Sequence, residues 1–374
     1  MNNFRKRISL CAFKIYDLKK RVLQKPVLPS FYPYRGLETH TNSLFESKER
    51  SYNFNENFCT YLAGLIEGDG SIIVPKEENS KKNKKNYPSV QIFFHLKDLP
   101  LALTVQKELN CGSLNRKKGV NAYIYTINSI EGLTLLSFCI YRYMRTPKIY
   151  DLWKLIDWLN NQKKKNNNFH ITIREKTENK GTPVCAKSGP LLVKIPFFKK
   201  KERRHTHEPF TTKVGVDESP LLENAWLSGF IEADGHFSVR ATLSLYKIEC
   251  RMEIVQSTRD HNNISKKDFL EKIAYIIHST VKTIRQTKPN KEYRVRSTNI
   301  KGNLVCKQYL QKYPLFGTKF LDFQDWCIVL QFFEKNLHKN KSFYNQIVQI
   351  KQQMNRNRTN YRWDHLKNFY HLEK

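Results

Sequence analysis

Two acidic residues in this sequence follow nearly the same phrase. Residues 61–72 read YLAGLIEGDGSI and residues 226–239 read WLSGFIEADGHFSV, so Asp69 and Asp234 each end an apolar run directly before a glycine. If these runs are helices that stop at the glycines, each carboxylate faces the negative end of a helix dipole, which is unfavourable without a cation. One such aspartate would be an ordinary exposed residue. Two matching copies predict a site for divalent cations, and Mg²⁺ or Mn²⁺ suits because it needs few protein oxygens.

The elements that would hold these carboxylates are two helices with small residues on one side. The small residues are Ala63, Gly64 and Gly68 in the first copy and Ser228, Gly229 and Ala233 in the second. Glycine inside a helix costs up to about 1 kcal/mol relative to alanine, so close contact between two helix backbones is the expected compensation. The two phrases therefore predict helices that pack against each other about a pseudo-two-fold axis.

The composition is strongly basic. Lys and Arg number 65 against 34 Asp and Glu, which gives a formal charge of +31 over 374 residues. Such a charge predicts a polyanionic partner, either nucleic acid or an anionic membrane surface. Because no run reaches about 18 consecutive apolar residues and the mean hydropathy is −0.62, the membrane alternative is disfavoured. Nucleic acid is the favoured partner.

Repetition and composition divide the chain into five segments. A lysine followed by x-x-Asp and an apolar helix pattern comes at a comparable distance after each aspartate, Lys148 in the first half and Lys319 in the second. The repeat therefore extends well past the opening phrase. The predicted segments are a basic N-terminal extension (1–55), a first half (56–161), a basic polar linker with partial order at most (162–220), a second half (221–340) and a basic C-terminal tail (341–374).

These stretches carry a resemblance to a known family. LAGLIEGDG and LSGFIEADG are similar to the two motifs of double-motif LAGLIDADG homing endonucleases, and FHLKDLPLALTVQKELNCGSL and KYPLFGTKFLDFQDW also resemble parts of that family. The likeness covers residues 58–160 and 222–335. It implies an α+β fold of two pseudo-symmetric αββαββα halves that pack through the motif helices. The antiparallel sheets would then form a DNA-binding saddle.

The resemblance also implies roles for individual residues. The implied metal ligands are Asp69, Asp234 and the backbone carbonyls of Gly68 and Ala233. Lys148 and Lys319 fall where the family keeps a basic residue that stabilises charge on the phosphate. Gln256 matches a glutamine that orders water, and His95 takes that place in the first half, a departure from the family pattern. Glu67 and Glu232 stand where the family name has aspartate, and we expect them to be structural.

Strand alternation supplies candidate DNA-contacting side chains. In HFSVRAT, Phe237 and Val239 alternate with polar residues, so one strand face would pack on helices while the other points outward. Reading the major groove with a β-surface needs hydrogen-bond donors at such outward positions. The second half offers His236, Ser238, Arg240, Arg251, Arg285, Thr287, Arg294 and Arg296. The less polar first half offers Ser71, Ile73, Asn115, Lys117 and Ile124.

Together these features predict a site-specific double-stranded DNA homing endonuclease that makes a metal-dependent staggered cut for intron mobility. It would act as a monomer with an internal pseudo-dimer and without a membrane partner. One alternative is an intron RNA maturase, with or without retained cleavage, that binds its own intron RNA. A second is a non-catalytic protein that binds DNA or the ribosome. Both aspartates and both lysines are present, which favours cleavage.

The N-terminus and the residue usage point to an organelle. MNNFRKRISLCAFKIYDLKKRVLQK resembles a mitochondrial transit peptide, although a basic arm or a remnant of an upstream reading frame would have a similar composition. The bias toward Lys, Asn, Ile, Phe and Tyr suits an AT-rich organelle genome. The 8 cysteines are scattered without a C-x-x-C pair, which predicts reduced thiols. We therefore predict a mitochondrial protein.

Overall fold

Two antiparallel four-stranded sheets, each packed with helices, follow one another along the chain. The computed structural model describes residues 50–165, 172–174, 191–195, 213–242, 247–287 and 291–370. The predicted N-terminal extension up to residue 49, much of the linker and the last four residues lie outside this range. Within it, no helix has both the length and the apolar character needed to cross a membrane.

The first half begins with a motif helix and a strand pair. After β1 (Arg50–Phe54), its elements are α1 (Glu56–Asp69), β2 (Gly70–Ile73), β3 (Ser89–His95), α2 (Leu99–Leu109), β4 (Ser113–Arg116), β5 (Ala122–Ile127), α3 (Ile130–Ile140) and α4 (Ile149–Lys165). The sheet has the strand order β2-β3-β5-β4, and all neighbours are antiparallel. Between the halves, β6 (Thr172–Arg174) and β7 (Leu191–Ile195) pair with β1 in the order β1-β7-β6.

The second half repeats this order. Its elements are α5 (Trp226–Asp234), β8 (Gly235–Thr242), β9 (Lys247–Ser257), α6 (Lys267–Ile276), β10 (Lys282–Ile284), β11 (Glu292–Arg296), α7 (Ile300–Lys312), α8 (Lys319–Glu334) and α9 (Lys341–Gln352). The sheet has the order β8-β9-β11-β10. From the motif helix to the third helix, each half reads αββαββα. The predicted α+β class with two pseudo-symmetric halves is confirmed.

Side-chain caps set several helix starts. Asn55 Oδ1 accepts a hydrogen bond from the Asn57 N–H at 2.8 Å at the start of α1. Ser129 and Asn299 cap the third helix of each half, and each accepts from the N–H of a glycine three residues later, at 3.1 and 2.8 Å. Such caps contribute about 1 kcal/mol each. The third helices of the two halves therefore begin in the same way although the capping residues differ.

The motif helices α1 and α5 form the main contact between the halves. An ideal Cβ built on Gly64 would lie 2.0 Å from the Trp226 carbonyl oxygen, and one on Gly229 would lie 1.9 Å from the Tyr61 carbonyl oxygen. Each glycine therefore faces the main chain of the other helix, in agreement with the small-residue pattern. Large apolar side chains of both helices are buried around this crossing.

The segment after α8 packs on the core up to the last described residue, residue 370. Helix α9 contacts β8 and α8. Asn355 Nδ2 donates to the Phe237 carbonyl oxygen at 3.1 Å, on the edge strand β8. The Phe369 and Tyr370 rings are buried against the Tyr61 ring, with centroids 6.2 and 5.4 Å away. The segment predicted as a basic tail thus reaches the first motif helix.

Candidate functional site

Asp69 and Asp234 lie where the two motif helices end. Each is the last residue of its helix, and the next residue, a glycine in extended conformation, begins an edge strand. An ideal Cβ on Gly68 would lie 2.2 Å from the Ala233 Cβ and 2.9 Å from Asp234 Oδ2. Because Gly68 directly precedes Asp69, this contact brings together the two acidic residues that the repeated phrase singles out.

Burial and repulsion act on both carboxylates. Burial raises the pKa of Asp69 to about 6, and Asp234 adds to the rise while Lys319 and Lys148 oppose it. Burial also raises the pKa of Asp234, again against the positive charges of the two lysines. Two buried like charges at helix C-termini destabilise one another, and a divalent cation between them would remove much of this cost.

Lys148 and Lys319 close the ends of the motif helices. Lys148 Nζ donates to three carbonyl oxygens between the last turn of α1 and the first residue of β2, at 2.6 to 2.9 Å. Lys319 Nζ donates to the carbonyl oxygens of Ile231 and Ala233 in α5, at 3.0 and 2.9 Å. Burial lowers the pKa of Lys148 to about 8. Each ammonium group offsets the negative helix end beside an aspartate.

Glu67 holds the loop that leads to Lys148. Its buried carboxylate accepts hydrogen bonds from the main-chain N–H groups of Arg145 and Thr146, at 2.6 to 3.1 Å. The Trp226 indole, on the other motif helix, donates to the same carboxylate at 2.6 Å. Burial raises the pKa of Glu67 although these hydrogen bonds favour the ionised form. Glu67 therefore joins the first motif helix, the second motif helix and the loop before α4.

Glu232 makes the matching contacts in the second half. It accepts from the N–H groups of Phe316 and Gly317, at 2.6 and 3.0 Å, just before Lys319. The Tyr61 hydroxyl of α1 donates to it at 3.2 Å. The acidic residue two positions before the helix end thus has a structural role in each half, and the terminal aspartates remain for chemistry.

Gln256 and Lys266 form a hydrogen-bonded chain to Asp234. Gln256 Nε2 donates to Asp234 Oδ2 at 2.5 Å, and Lys266 Nζ donates to Gln256 Oε1 at 2.9 Å. Because the ammonium group can only donate, the amide oxygen must face Lys266 and the amide nitrogen must face Asp234. Lys266 was not among the residues predicted from the sequence. It is one of two adjacent lysines at the start of α6, and nothing in the sequence distinguishes the one that reaches Gln256.

The position that corresponds to Gln256 in the first half is Phe94. The glycine after each motif aspartate pairs with residue 92 in the first sheet and with residue 254 in the second. Two residues further along each strand are Phe94 and Gln256. The prediction that His95 is the counterpart is therefore wrong by one residue, and one residue in a strand turns the side chain to the opposite face.

The side chains that surround Asp69 consequently differ from those that surround Asp234. Phe94 is buried, whereas His95 is exposed and its Nδ1 accepts from the Lys97 N–H at 3.2 Å. Asp98 occupies the N-cap position of α2 that Lys266 occupies for α6, and its Oδ1 accepts from the Thr318 N–H at 2.7 Å. Within the described part of the chain, no counterpart of the glutamine and lysine chain reaches the aspartate of the first half.

The sequence matches a known protein family over both halves. The family model described as LAGLIDADG endonuclease matches residues 62–159 and 227–330, which include both motif phrases and both sheets. The chain belongs to the LAGLIDADG endonuclease family. One relative, named Intron-encoded DNA endonuclease aI3, from Saccharomyces cerevisiae, is 27% identical, and the match covers 88% of this chain and 78% of that protein.

Solved structures of the LAGLIDADG family share the fold. The crystal structure of the LAGLIDADG homing endonuclease I-GzeII in complex with its DNA target gives a TM-score of 0.55 at 19% identity, and covers 80% of this chain and 99% of that chain. The structure of I-SmaMI, bound to an uncleaved DNA target in the presence of calcium ions, gives a TM-score of 0.53 at 21% identity. This match covers 79% of this chain and 98% of that chain. At these identities the likeness establishes the fold.

In this LAGLIDADG fold, the predicted DNA-contacting residues lie on the outward faces of the sheets or in adjoining turns. Along β3 and β9, alternate side chains are buried and the intervening ones are accessible. The strand pairing gives outward positions to Ser71, Ile73, Asn115 and Ile124 in the first sheet and to His236, Ser238, Arg240, Arg251, Arg294 and Arg296 in the second. Lys117, Arg285 and Thr287 lie just after β4 and β10.

Proposed function

We propose that this protein is a site-specific homing endonuclease that makes a Mg²⁺-dependent staggered cut in double-stranded DNA. The observation that carries the proposal is the meeting of Asp69 and Asp234 at adjoining helix ends, each helix end being closed by a lysine. One acidic residue from each half supports one reaction on each DNA strand. The formal charge of +31 supports a polyanionic substrate.

The residues at this site fit Mg²⁺ better than an ion that needs a complete protein cage. Among the described residues, no three His, Cys, Asp or Glu side chains converge on one point. Mg²⁺ is commonly held by one or two carboxylates, with water and phosphate completing its coordination. Asp69 and Asp234 would hold it, together with the carbonyl oxygens of Gly68 and Ala233, although the Ala233 carbonyl also accepts from Lys319. When bound, the ion supplies Lewis acidity and lowers the pKa of water.

The other groups position the reacting partners. Gln256 holds one oxygen of Asp234 and keeps the second oxygen free to turn toward an ion. Lys148 and Lys319 place positive charge beside the two carboxylates, where it stabilises negative charge that develops on the scissile phosphate. Because both halves belong to one chain, a monomer would contain two reaction centres.

The proposed setting is a mitochondrial genome. The relative named as an intron-encoded DNA endonuclease, the basic N-terminal sequence and the AT-rich codon bias implied by the residue usage support this setting. The same basic surface would bind an RNA as well as a DNA backbone, because both are polyanions. Intron RNA maturation is therefore the alternative outcome of the test.

The test is cleavage of a plasmid library of randomised and organellar sequences with Mg²⁺, using the full-length protein. The variants are Asp69→Asn and Asp234→Asn. The matched control is Asp157→Asn, because Asp157 is 52% exposed and pairs with Lys213 at 2.9 Å on the surface. The wild type and the control should linearise a subset of plasmids, whereas each of the two site variants should leave at least one strand intact.

Two results would overturn the endonuclease proposal. One is a wild-type protein that binds its intron insertion site but does not cut it. The other is cutting by the Asp69→Asn and Asp234→Asn variants at the wild-type rate. In either case, stimulation of intron splicing by the same protein preparation would support the maturase alternative.

A further inference from the structure

The outward faces of the two sheets differ in chemistry. In the described strands of the first sheet, no outward position carries Asp, Glu, Lys or Arg, and the face presents apolar and neutral polar groups around Ile73, Phe93 and Ile124. In the second sheet, the outward positions include Glu249, Arg251, Glu253, Glu292, Arg294 and Arg296. One chain therefore offers two unlike surfaces to a DNA duplex.

The apolar groups on the outward face of the first sheet are accessible to solvent to different degrees, Ile73 being exposed and Phe93 and Ile124 half-buried. Phe93 and Ile124 are direct cross-strand neighbours, and Ile73 is 46% exposed. Lys117 Nζ lies 5.5 Å from the centroid of the Phe93 ring, so a cation flanks this apolar group. In the major groove, the thymine methyl is the base-edge group that an apolar side chain recognises. A lysine ammonium group, which could neutralise a phosphate, beside an apolar group fits a groove wall lined with such methyls.

The charged groups of the second sheet are arranged in pairs. Arg296 donates from Nε and Nη2 to Glu253 Oε2, at 2.7 and 2.6 Å. Arg251 pairs with Glu249 in the same strand. Carboxylates that face a DNA duplex repel its phosphates. These glutamates would therefore weaken DNA binding unless they make a compensating interaction.

A paired arginine and glutamate matches the edge of one base pair. A G·C pair presents two acceptors on guanine, N7 and O6, beside one donor on cytosine, N4. Beyond the two N–H groups that face Glu253, Arg296 keeps N–H donors on Nη1 and Nη2 for guanine, and the adjacent carboxylate supplies one acceptor. The ion pair also restricts the conformations of each arginine side chain before DNA binds. In contrast, a thymine methyl offers nothing to either member of such a pair.

We propose that the two sheets read chemically different half-sites. The first sheet reads a thymine-rich half-site through Ile73, Phe93 and Ile124, and the second reads a half-site with G·C pairs through its arginine and glutamate pairs. This inference rests on the proposed DNA endonuclease function and specifies its substrate. The target is asymmetric in base composition because the faces are asymmetric in chemistry.

The experiment uses a target selected from the plasmid library and four altered duplexes. Thymine is replaced by uracil in one half-site or the other, and guanine by 7-deazaguanine in one half-site or the other. Equilibrium dissociation constants are measured without Mg²⁺ for the full-length wild type, Ile124→Ser and Arg296→Ala. Ile328→Ser is the matched control, because Ile328 is 44% exposed on α8 and outside both sheets.

The two base changes should act on opposite halves. Uracil in the first-sheet half should weaken binding about fourfold for each methyl contacted, and the Ile124→Ser variant should lose part of that response. Removal of guanine N7 in the second-sheet half should weaken binding by about fivefold or more, and Arg296→Ala should lose that response. Ile328→Ser should respond to all four duplexes as the wild type does.

Equal responses of the two half-sites to each base change would overturn this inference while leaving the endonuclease proposal intact. The same conclusion would follow if Ile124→Ser lost the guanine response or Arg296→Ala lost the uracil response. A wild type that selects no target and binds no unmodified duplex would instead overturn the proposed function, and this inference with it.

Discussion

Gly64 and Gly229 face the main chains of each other's helices at a single crossing. The space for a Cβ is absent at both positions, because a carbonyl oxygen of the partner helix lies 2.0 or 1.9 Å from where that atom would be. Each motif aspartate lies in the same helix, just over one turn after its glycine. The crossing therefore determines how close Asp69 and Asp234 come to each other.

The variant Gly229→Ala should lower the free energy of unfolding. The added methyl would collide with the Tyr61 carbonyl oxygen, and overpacking of this kind costs about 1–3 kcal/mol. Denaturant unfolding measures the change. Gly215→Ala is the control, since an ideal Cβ on Gly215 has no heavy atom within 4 Å. Equal stability of the Gly229→Ala variant and the wild type would contradict the close crossing.

The variant Asp69→Asn should stabilise the metal-free protein at pH 7.5. The pKa of Asp69 in the folded protein is about 6, against an ordinary value of 3.8. A raised carboxyl pKa means that the ionised group destabilises the folded state above pH 6, and that this cost disappears as pH falls toward 3.8. Removing the charge should therefore add about 1–3 kcal/mol to the free energy of unfolding at pH 7.5.

The increase in the free energy of unfolding of Asp69→Asn should depend on pH and on Mg²⁺. These two dependences distinguish removal of the charge from a general effect of asparagine. The gain should shrink when unfolding is measured at pH 5, and it should shrink again at pH 7.5 with saturating Mg²⁺, because ligand binding stabilises the wild type. The exposed control Asp157→Asn should show neither trend. A metal-free Asp69→Asn protein less stable than the wild type at pH 7.5 would refute the prediction.

The variant Lys266→Met should slow cleavage of one strand more than the other. Lys266 orients Gln256, which in turn contacts Asp234, and the first half has no equivalent chain among the described residues. Loss of such a supporting contact typically reduces activity about 10- to 100-fold. End-labelled DNA should reveal accumulation of a product nicked in the other strand. Lys266→Arg, which keeps a donor, should recover part of the rate.

The control for this experiment is the adjacent lysine. Lys267 Nζ pairs with Glu271 at 2.9 Å and is 50% exposed, so Lys267→Met changes the same charge without touching Gln256. Its two strand rates should match those of the wild type. If Lys266→Met slowed cleavage of both strands equally, Lys266 would act through DNA affinity or protein stability instead of through its support of Asp234.

The variant Phe369→Ala should destabilise the whole protein. The Phe369 ring packs on Phe58 and Phe316, with centroids 5.8 and 4.7 Å away, and it is 7% exposed. Removing a buried phenyl group costs about 3–5 kcal/mol. Tyr275→Ala is the control, because Tyr275 is 84% exposed. Unchanged thermal unfolding of Phe369→Ala would show that the end of the chain is dispensable for the fold.

Much of the fold was predictable from the sequence because its signals are local. Small residues at helical spacing indicate a close crossing, alternation indicates which strand residues point outward, and the repeated phrase indicates two equivalent units. The same phrase identified Asp69 and Asp234, which stand next to glycines that end the helices. These features need no information on how distant segments meet.

The side-chain contacts around the two aspartates depend on how segments far apart in the sequence pack together. Phe94 and not His95 corresponds to Gln256 because strand register depends on how hairpins pair, and a shift of one residue exchanges the two faces of a strand. Lys266 is one of two neighbouring lysines, and only the fold of α6 against β9 selects it.

The sequence by itself therefore determined the paired halves and the two acidic residues, because short-range periodicity and spacing encode them, and its two motif phrases carry the resemblance to the LAGLIDADG family. The tertiary structure decided which side chains support each aspartate and how much the surroundings of Asp69 differ from those of Asp234. It also showed that the end of the chain, up to residue 370, belongs to the core. Those outcomes depend on packing between segments far apart in sequence, which no local pattern specifies.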